Sequence, residues 1–527
     1  MEATGSRATE EAVGAGVEPL GGDPAIRRSA WRTIAARLGG RLRVASPATW
    51  LVVLLVAIYT AYFSIRTLDV HHGLGTSTYD SALYDQGIWL MSRFETPFVT
   101  LMGRNLMGDH TSFVLVLMVP IYWLFPAAGT LFFVQSLVIG AGAVPVYLLA
   151  RRRLGSDWLG AVMAAVYLLH PAVSWTNMEN FHPDAFLGVF VAFAIYGALE
   201  RRWRIYTISV VASLLVKEDV SLVIVPLGVW VAIKRDRRIG ALTVLGSLAA
   251  MLVAMFVVMR SLIGVPTRNT WRIPFGGVRG FVTTALRNPT QIADHFRSQG
   301  RPWYLWQMTS PLAMVFLRRP GVAAISALVL FTNVLSTFWY QFHIQYHYSL
   351  VAVPALVMGT TYALGHLPRV GRWGMHRSLG AVVVCTVLAA YAWAPFPHTP
   401  GDPVTWGRDH PVAVAARDIV AEVPADAAVA AHYGITPHLA HRVEIYQFPN
   451  PFRVVLYGTS ITQEGTRLDD RAERVEYLVL QVSKSPEDAG DFDVIRSAFV
   501  LVWANAYWEL WRRDRSVALP PPVTPLP

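Results

Sequence analysis

The feature that most constrains the fold is a series of apolar blocks, each about 20 residues long, separated by short turns rich in arginine. A helix of about 20 residues, rising about 1.5 Å per residue, crosses the roughly 30 Å hydrocarbon core of a bilayer. Continuous apolar segments satisfy their backbone hydrogen bonds in that core only as helices. Charged residues make up 15% of the chain, below the roughly 25% of soluble proteins. The sequence therefore predicts an α-helical polytopic membrane protein.

The apolar blocks predict eleven spans, at 49–65, 129–150, 157–171, 184–199, 205–217, 220–233, 240–259, 303–317, 321–340, 348–367 and 378–396. With this layout, every short basic turn falls on the same side of the membrane. Basic loops stay in the cytoplasm, so the N-terminus, which lies on that side, is predicted to be cytoplasmic. These turns are 151–153, 201–204, 234–238, 318–319 and 369–377. We therefore expect a multi-pass protein of a bacterial plasma membrane, with a basic cytoplasmic tail at 1–46 and a transmembrane domain at 47–396.

Two apolar segments need separate interpretation. The first block, 49–65, has no small-residue cleavage site after it, which favours an anchor over a removed signal peptide. The run 113–125 is short for a span and contains Pro120. A span there would move every later loop to the opposite side of the membrane and break the charge pattern. We therefore expect a re-entrant or interfacial helix on the outer side.

Charge and cysteine content exclude other classes of protein. The net charge is +10, but residues 397–527 carry 12 Lys and Arg against 17 Asp and Glu. The positive charge therefore lies between the apolar blocks, as topology signals do, and no nucleic-acid partner is expected. The single cysteine, Cys385, excludes a disulfide scaffold and thiolate zinc sites.

The predicted outer segments share carboxylates, imidazoles and amides, whereas the inner turns contain almost only arginine; the outer segments are 66–128, 179–184, 217–219 and 341–348. Polar groups at a membrane edge are costly to leave unpaired, so the pattern predicts an outward-facing polar cavity. The candidate catalytic residues are Asp80, Tyr84 and Asp85. The candidate substrate-binding residues of these loops are Gln86, Asp109, His110, Glu179, Asn180, His182, Asp184, Lys217, Glu218, Asp219, His343 and His347.

Several of these residues also fit structural roles. Asp80 and Asp85 lie about 140° apart on an ideal helix and need not share a site, whereas Tyr84 shares the face of Asp80. Asp184, after a proline, fits a helix start. Lys217 fits a snorkelling helix end. The spacing matches no firm metal-site signature, although Asp109, His110, Glu179 and His182 could supply ligands for a divalent ion.

The predicted outer loop 260–302 contains seven arginines and one acid, Asp294. Arginine binds phosphate oxygens bidentately, so Arg268 and Arg272 are candidates for holding a lipid phosphate. The alternative is that a long loop is translocated whatever its charge.

The tail, 397–527, is predicted to form a small extracytoplasmic α/β domain. Prolines mark a linker at its start, followed by a helix at 412–422 and strands at 427–431, 443–446, 477–482 and 499–503. The tail has no glycine-rich phosphate loop. We expect this domain to cap the membrane site.

The segments 79–89, 109–110, 180–184, 216–219 and 437–442 together resemble a bacterial family of predicted membrane proteins of unknown function, over roughly residues 50–450. That family is similar, more distantly, to the GT-C membrane glycosyltransferases. The resemblance implies a GT-C-like fold and a polyprenyl-phosphate sugar donor. It also implies a catalytic acid soon after the first span, the place that Asp80 occupies. Here Ser81 follows in place of a second acid, and the Pro-Pro pair of the juxtamembrane helix is absent.

The resulting hypothesis is a glycosyltransferase that moves a sugar from a polyprenyl-phosphate donor to an envelope glycan or protein. Asp80 would act as general base, Lys217 with the loop arginines would hold the phosphate, and Glu179, His182 and Asp109 would orient the sugar or a divalent ion. The rivals are a transporter or flippase of a lipid-linked or anionic solute, and a non-catalytic protein that keeps the fold. A transporter predicts broken helices in related halves, and the sequence shows no such internal repeat.

Overall fold

The computed structural model describes residues 46–267, 269–369, 374–459 and 461–521. The proposed phosphate ligand Arg268 and nearly all of the predicted tail at 1–46 lie outside the described residues. Every contact discussed below lies within the compact unit 51–527.

The N-terminal half of the described chain is a succession of helices joined by short turns. They are α1 Pro47–His72, α2 Leu83–Ser92, α3 Leu106–Asp109, α4 Val119–Tyr122, α5 Ala128–Ala141, α6 Ala143–Arg153, α7 Asp157–Leu168, α8 Pro171–Met178, α9 Ala185–Leu199, α10 Trp203–Leu214, α11 Ser221–Lys234, α12 Arg237–Val253 and α13 Arg260–Ile263. A short hairpin, β1 Phe98–Val99 and β2 Arg104–Asn105, lies between α2 and α3. The run predicted to be interfacial forms the 3-10 helix Phe113–Met118, which continues into α4.

The second half alternates helices with irregular segments before the chain enters a sheet. Its helices are α14 Val278–Arg287, α15 Pro289–Arg297, α16 Arg301–Thr309, α17 Ala327–Leu335, α18 Val353–Leu364, α19 Met375–Trp393, α20 Pro411–Glu422, α21 Asp469–Arg474 and α22 Pro486–Ile495. Its strands are β3 Val429–Ala431, β4 Ile445–Gln447, β5 Tyr477–Gln481, β6 Phe499–Ala504 and β7 Trp508–Arg513.

Within the described residues, four helical segments are long and apolar enough to cross a membrane: Pro47–His72, Ala128–Arg153, Arg237–Ile263 and Met375–Trp393. The pair α7 and α8 makes a fifth candidate if it counts as one span bent by 50°. Pro171 begins α8, and because proline has no backbone N–H it interrupts the helix there. The predicted number of eleven spans stays a prediction.

The predicted span 303–317 differs from one helix. Helix α16 ends at Thr309, and Ala313 and Met314 adopt left-handed backbone conformations before the 3-10 turn Val315–Arg318 begins. Two consecutive residues with positive φ cannot belong to a right-handed helix. An apolar run can therefore have the composition of a span and still be broken by its backbone.

Helix α9 forms the centre of the helical part. It is apolar around its whole circumference, and nearly all its side chains are buried, as expected for a helix surrounded by others. It packs against α5, α6, α10 and α18. The segment that precedes α9 is therefore held at the middle of one end of the bundle, where the candidate site lies.

The C-terminal strands form one mixed sheet in the order β4-β3-β5-β7-β6. Strands β4, β3 and β5 are parallel, whereas β7 pairs antiparallel with both β5 and β6. One face buries Tyr446, Leu478 and Trp511 in the domain core. The four predicted strands correspond to β3–β6, and helix α20 to the predicted 412–422 helix. The sequence analysis did not predict β7, although its Trp and Leu residues next to Glu and Arg fit a half-buried strand.

Candidate functional site

Asp80 lies on a single π-helical turn, Thr78–Ala82, directly before α2. Turns of this type are rare and often occur at functional sites. The side chain of Asn180 holds this turn, because its Oδ1 accepts from the Ser77 backbone N–H at 2.8 Å and from the Ser81 hydroxyl at 3.0 Å. The turn fixes the direction in which the Asp80 carboxylate points.

His182 links Asp80 to the centre of the bundle. Its Nε2 lies 3.1 Å from Asp80 Oδ1, and its ring stacks on His347 with centroids 3.7 Å apart. The buried side chain of Gln135 accepts from the His182 backbone N–H at 2.9 Å. The same amide donates to the carbonyl oxygen of Asn180 at 2.9 Å. Gln135 therefore fixes the backbone on which the His182 imidazole is carried.

Glu179 lies beside the two stacked histidines. Its Oε2 accepts from the His347 backbone N–H at 2.7 Å and lies 3.1 Å from His347 Nδ1. Burial raises the pKa of Glu179 to about 8 and lowers the pKa of His347 to about 4. Burial alone would also raise the pKa of Asp80, but His182 and His347 hold it below its ordinary value. Asp80 is thus the ionised carboxylate of this group.

Lys217 forms the next part of the site and is 4% exposed. Its Nζ lies 3.7 Å from Asp184 Oδ1 and 3.8 Å from Asp219 Oδ2. Both distances exceed a hydrogen bond, so the ammonium donors remain open to a further oxygen atom. Although burial opposes it, the neighbouring acids Asp184 and Asp219 raise the pKa of Lys217 and keep it charged.

A cavity of about 280 Å³ opens beside Lys217. Its polar side includes Lys217, His110 and Arg272, and its apolar side includes Met251 and Met255 of the long helix Arg237–Ile263. Arg272 Nε is buried and has no hydrogen-bond partner among the described residues. The cavity therefore places two cationic side chains next to an apolar wall.

The half-buried His110 and the buried Glu218 form a pair at the edge of this cavity, with His110 Nδ1 2.7 Å from Glu218 Oε1. Burial would lower the pKa of His110, but Glu218 raises it above its ordinary value. Burial would raise the pKa of Glu218, but His110 and Lys217 lower it. Glu218 directly follows Lys217, so the pair helps to fix the backbone beside Lys217.

Four of the sequence candidates point elsewhere. Asp85 is buried against the C-terminal domain, and its Oδ1 lies 2.8 Å from both the Tyr122 hydroxyl and His441 Nε2. Gln86 donates to Thr100 and to backbone carbonyls of the same domain. Asp109 is paired with Arg104 at 2.7 Å. His343 is half-buried, with Nδ1 2.7 Å from the carbonyl oxygen of Trp339, four residues earlier.

The remaining candidate, Tyr84, is buried behind the site. Its ring meets that of His182 edge-on, with centroids 5.8 Å apart. Burial raises its pKa well above the ordinary value, so the phenol stays protonated. This position suits support of His182 better than proton transfer.

The sequence interpretation missed two residues that shape the site. Gln135 is a lone amide inside an apolar block, a pattern that signals a functional or supporting polar group in a membrane helix. Tyr433 follows β3, and its carbonyl oxygen accepts from the Thr78 hydroxyl at 2.9 Å, which joins the C-terminal domain to the π turn of Asp80. No local sequence signal indicated the contact of Tyr433, because its partner is 355 residues away.

The sequence profile of the DUF2079 family, described as predicted membrane proteins, matches residues 70–500. The chain belongs to this family. No curated protein matches the chain. The family resemblance stated from the outer-loop motifs is therefore confirmed.

Two solved structures of ArnT from Cupriavidus metallidurans are similar in fold. The structure bound to undecaprenyl phosphate is 14% identical in sequence, with a TM-score of 0.52, and the match covers 90% of this chain and 100% of ArnT. The apo structure is 16% identical, with a TM-score of 0.53 and the same coverage. At this identity the similarity establishes the fold alone. This DUF2079 member is thus a largely helical protein with the GT-C fold and a small C-terminal sheet domain.

Proposed function

We propose that this DUF2079 protein is a GT-C-like glycosyltransferase that moves a sugar from a polyprenyl-phosphate donor to an acceptor on the outer side of a bacterial plasma membrane. The observation that carries the proposal is the combination of two neighbouring groups. One is the ionised Asp80 held by His182, and the other is the cavity with Lys217 and Arg272 at its polar side. The GT-C fold and the undecaprenyl phosphate bound to ArnT support the choice of donor.

Asp80 is the proposed general base. Its side chain is 33% exposed, so one carboxylate oxygen can reach an acceptor hydroxyl while Oδ1 stays beside His182. The acceptor oxygen forms a bond to the anomeric carbon of the sugar as the bond from that carbon to the phosphate oxygen breaks. Asp80 takes the acceptor proton, and attack opposite the leaving group inverts the configuration at the carbon.

Lys217 and Arg272 are the proposed ligands of the leaving phosphate. Negative charge develops on the phosphate oxygen as the sugar departs, and fixed cations at that point stabilise the transition state. Lys217 Nζ, which has no hydrogen bond to Asp184 or Asp219, and the guanidinium of Arg272 both line the cavity and meet this requirement. The apolar wall of Met251 and Met255 suits the first isoprene units of the lipid.

The two groups are coupled through the residues between them. Asp184 lies beside Lys217 and also interacts electrostatically with His182 and His347. Asp80 interacts with the same two histidines. A phosphate bound at Lys217 would therefore lie close to the histidines that hold Asp80. The donor and the base would then be near each other, as sugar transfer requires.

The test uses purified protein in lipid nanodiscs, a panel of radiolabelled polyprenyl-phosphate sugars and candidate envelope acceptors. Wild type should release free polyprenyl phosphate and label an acceptor, whereas Asp80→Asn should lose about 10²–10⁴-fold of that rate. Asp418→Asn, an exposed aspartate of α20, is the matched control and should keep the wild-type rate. An Asp80→Asn protein with the wild-type rate would remove Asp80 as base. Vesicle uptake of the intact lipid-linked sugar without cleavage would favour the transporter.

A second experiment addresses the phosphate. Lys217→Met keeps the length of the side chain but removes its charge, so binding of undecaprenyl phosphate should weaken at least about tenfold. Wild type and Asp80→Asn should bind this lipid equally, because Asp80 acts on the acceptor. Equal lipid binding by Lys217→Met and wild type would contradict the assignment of Lys217.

A further inference from the structure

Three side chains beside Asp80 form a group with the composition of a metal site. Glu179, His182 and His347 each offer one ligand atom, and the three atoms lie within 4.8 Å of one another. In a tetrahedral zinc site, ligand atoms about 2.1 Å from the ion lie about 3.4 Å apart. A contraction of up to about 1.4 Å between ligand atoms, within the reach of side-chain rotation, would bring this group to that geometry.

The chemistry of the three ligands selects the class of ion. Two imidazoles and one carboxylate are the ligands of many catalytic zinc sites, and imidazole nitrogen favours zinc-like divalent ions over Mg²⁺ or Ca²⁺. One ring nitrogen of His182, one ring nitrogen of His347 and a Glu179 carboxylate oxygen lie within 4.8 Å of one another, which is close to the spacing of ligands on one ion. Three protein ligands leave a fourth position open.

The supporting contacts hold the group in place. Glu179 accepts from the backbone N–H of His347, so two ligands from distant parts of the chain are joined directly. Gln135 anchors the backbone of His182. His182 and His347 are 4% and 6% exposed, so little water competes for their nitrogens. Such supporting contacts orient metal ligands in known sites and are part of the affinity.

We propose that Glu179, His182 and His347 bind one zinc-like divalent cation next to Asp80. Asp80 Oδ1 lies 3.1 Å from His182 Nε2, so the ion and the proposed base share one histidine. The proposal concerns binding of the ion and stands apart from the proposed sugar transfer.

The experiment measures metal binding without any sugar or lipid phosphate. Full-length protein is purified in nanodiscs through a tag that contains no histidine, stripped with a chelator and titrated with Zn²⁺ or Mg²⁺. Bound metal is counted by mass spectrometry, and the affinity is obtained by competition with a zinc-chelating dye. Wild type should bind one Zn²⁺ per chain, and Mg²⁺ should not displace it.

The variants separate a metal site from a hydrogen-bonded cluster. His347→Ala, His347→Asn and Glu179→Gln should each lower the zinc affinity at least about 100-fold, more than the loss of a supporting partner does. His366→Ala removes an exposed histidine at the end of α18 and is the matched control; its zinc affinity should equal that of wild type. Zinc should also raise the melting temperature of wild type and of His366→Ala by several degrees.

Two results would overturn the proposal. One is a wild-type protein that binds no more zinc than the Glu179→Gln variant. The other is zinc binding that persists unchanged in all three site variants, provided that each shows the wild-type melting temperature in chelator. A wild-type protein that binds zinc but transfers no sugar would contradict the proposed function and would still confirm the metal site.

Discussion

Two aspartates five residues apart each meet one histidine, but with opposite burial. In the first pair, the Asp80 side chain is 33% exposed and that of His182 is 5% exposed. In the second, the Asp85 side chain is 5% exposed and that of His441 is 31% exposed. The first pair presents a carboxylate to the open site, whereas the second hides its carboxylate between α2 and the C-terminal domain.

The difference shows how the same residue types take different roles. Asp85 Oδ1 receives both the Tyr122 hydroxyl and His441 Nε2 at 2.8 Å, so its charge is compensated by fixed partners. Asp80 has a histidine on one side and accessible space on the other. A buried and fully paired acid stabilises an interface, whereas a half-exposed acid beside a buried imidazole can exchange a proton with a substrate. The proposed catalytic role therefore falls to Asp80.

The largest expected effect is a difference in turnover between the two aspartates. Asp80→Asn should lower the sugar-transfer rate at least about 100-fold relative to Asp85→Asn, because only Asp80 has access to an acceptor proton. Single-turnover assays with saturating lipid donor measure this ratio in the folded fraction of each protein. Equal transfer rates in the two variants would show that Asp80 has no special role in the reaction.

Stability should show the reverse order. Asp85→Asn should lower the free energy of unfolding by about 3 kcal/mol, because two hydrogen bonds to a buried charge are weakened. Asp80→Asn should change it by less than about 1 kcal/mol. Chemical unfolding in detergent, followed by the fluorescence of tryptophans in the C-terminal domain, measures both values. A stable Asp85→Asn protein beside an unstable Asp80→Asn protein would reverse our interpretation.

His110 and Glu218 test a third case, in which both partners are largely buried. Glu218 has a lowered pKa, so its contribution is present above about 4.5 and is lost as the pH falls through its folded value. His110 has a raised pKa, so its contribution is complete below about 6.5 and is lost as the pH rises through its folded value. The pair should therefore stabilise the protein most between these two pH values.

The variant His110→Gln makes this expectation measurable. It should lower the free energy of unfolding by about 2 kcal/mol at pH 6, where a charged histidine donates to Glu218. The loss should become smaller as the pH rises through the raised pKa of His110 towards pH 9, because the wild-type imidazole then loses its charge. Melting curves of both proteins at the two pH values give the comparison, and an equal loss at both would show that the pair is not ionic.

The smallest expected effect concerns the second donor to Asp85. Tyr122→Phe removes one hydroxyl and leaves His441 in place, so the free energy of unfolding should fall by about 1 kcal/mol. The transfer rate should remain at the wild-type value. A tenfold loss of rate with unchanged stability would connect Asp85 to the chemistry after all.

Much of this architecture could be predicted from the sequence. Apolar blocks of membrane length are recognised without tertiary contacts, because their backbone must form helices in lipid. The strands β3–β6 follow from short runs of β-forming residues between polar turns. The sequence analysis also predicted Asp80, Glu179, His182 and Lys217 as site residues. Each is an ionisable group next to an apolar segment, where it is costly to leave unpaired.

Other features depended on the fold. The break after Thr309 comes from left-handed residues that composition does not reveal. The separation of Asp80 from Asp85 depends on a π turn held by Asn180, and on a C-terminal domain that covers Asp85 alone. Neither contact has a local signal in the chain.

The sequence by itself determined that this chain forms membrane helices, that it ends in a small α/β domain and which residue types gather near one end. Those properties follow from hydrophobicity and backbone preference, which act over a few residues. Only the tertiary structure decided which histidine meets which carboxylate. Such pairings join residues about 100 to 360 positions apart, and they depend on how helices and sheet pack together, because packing alone decides which side chains are buried and face each other.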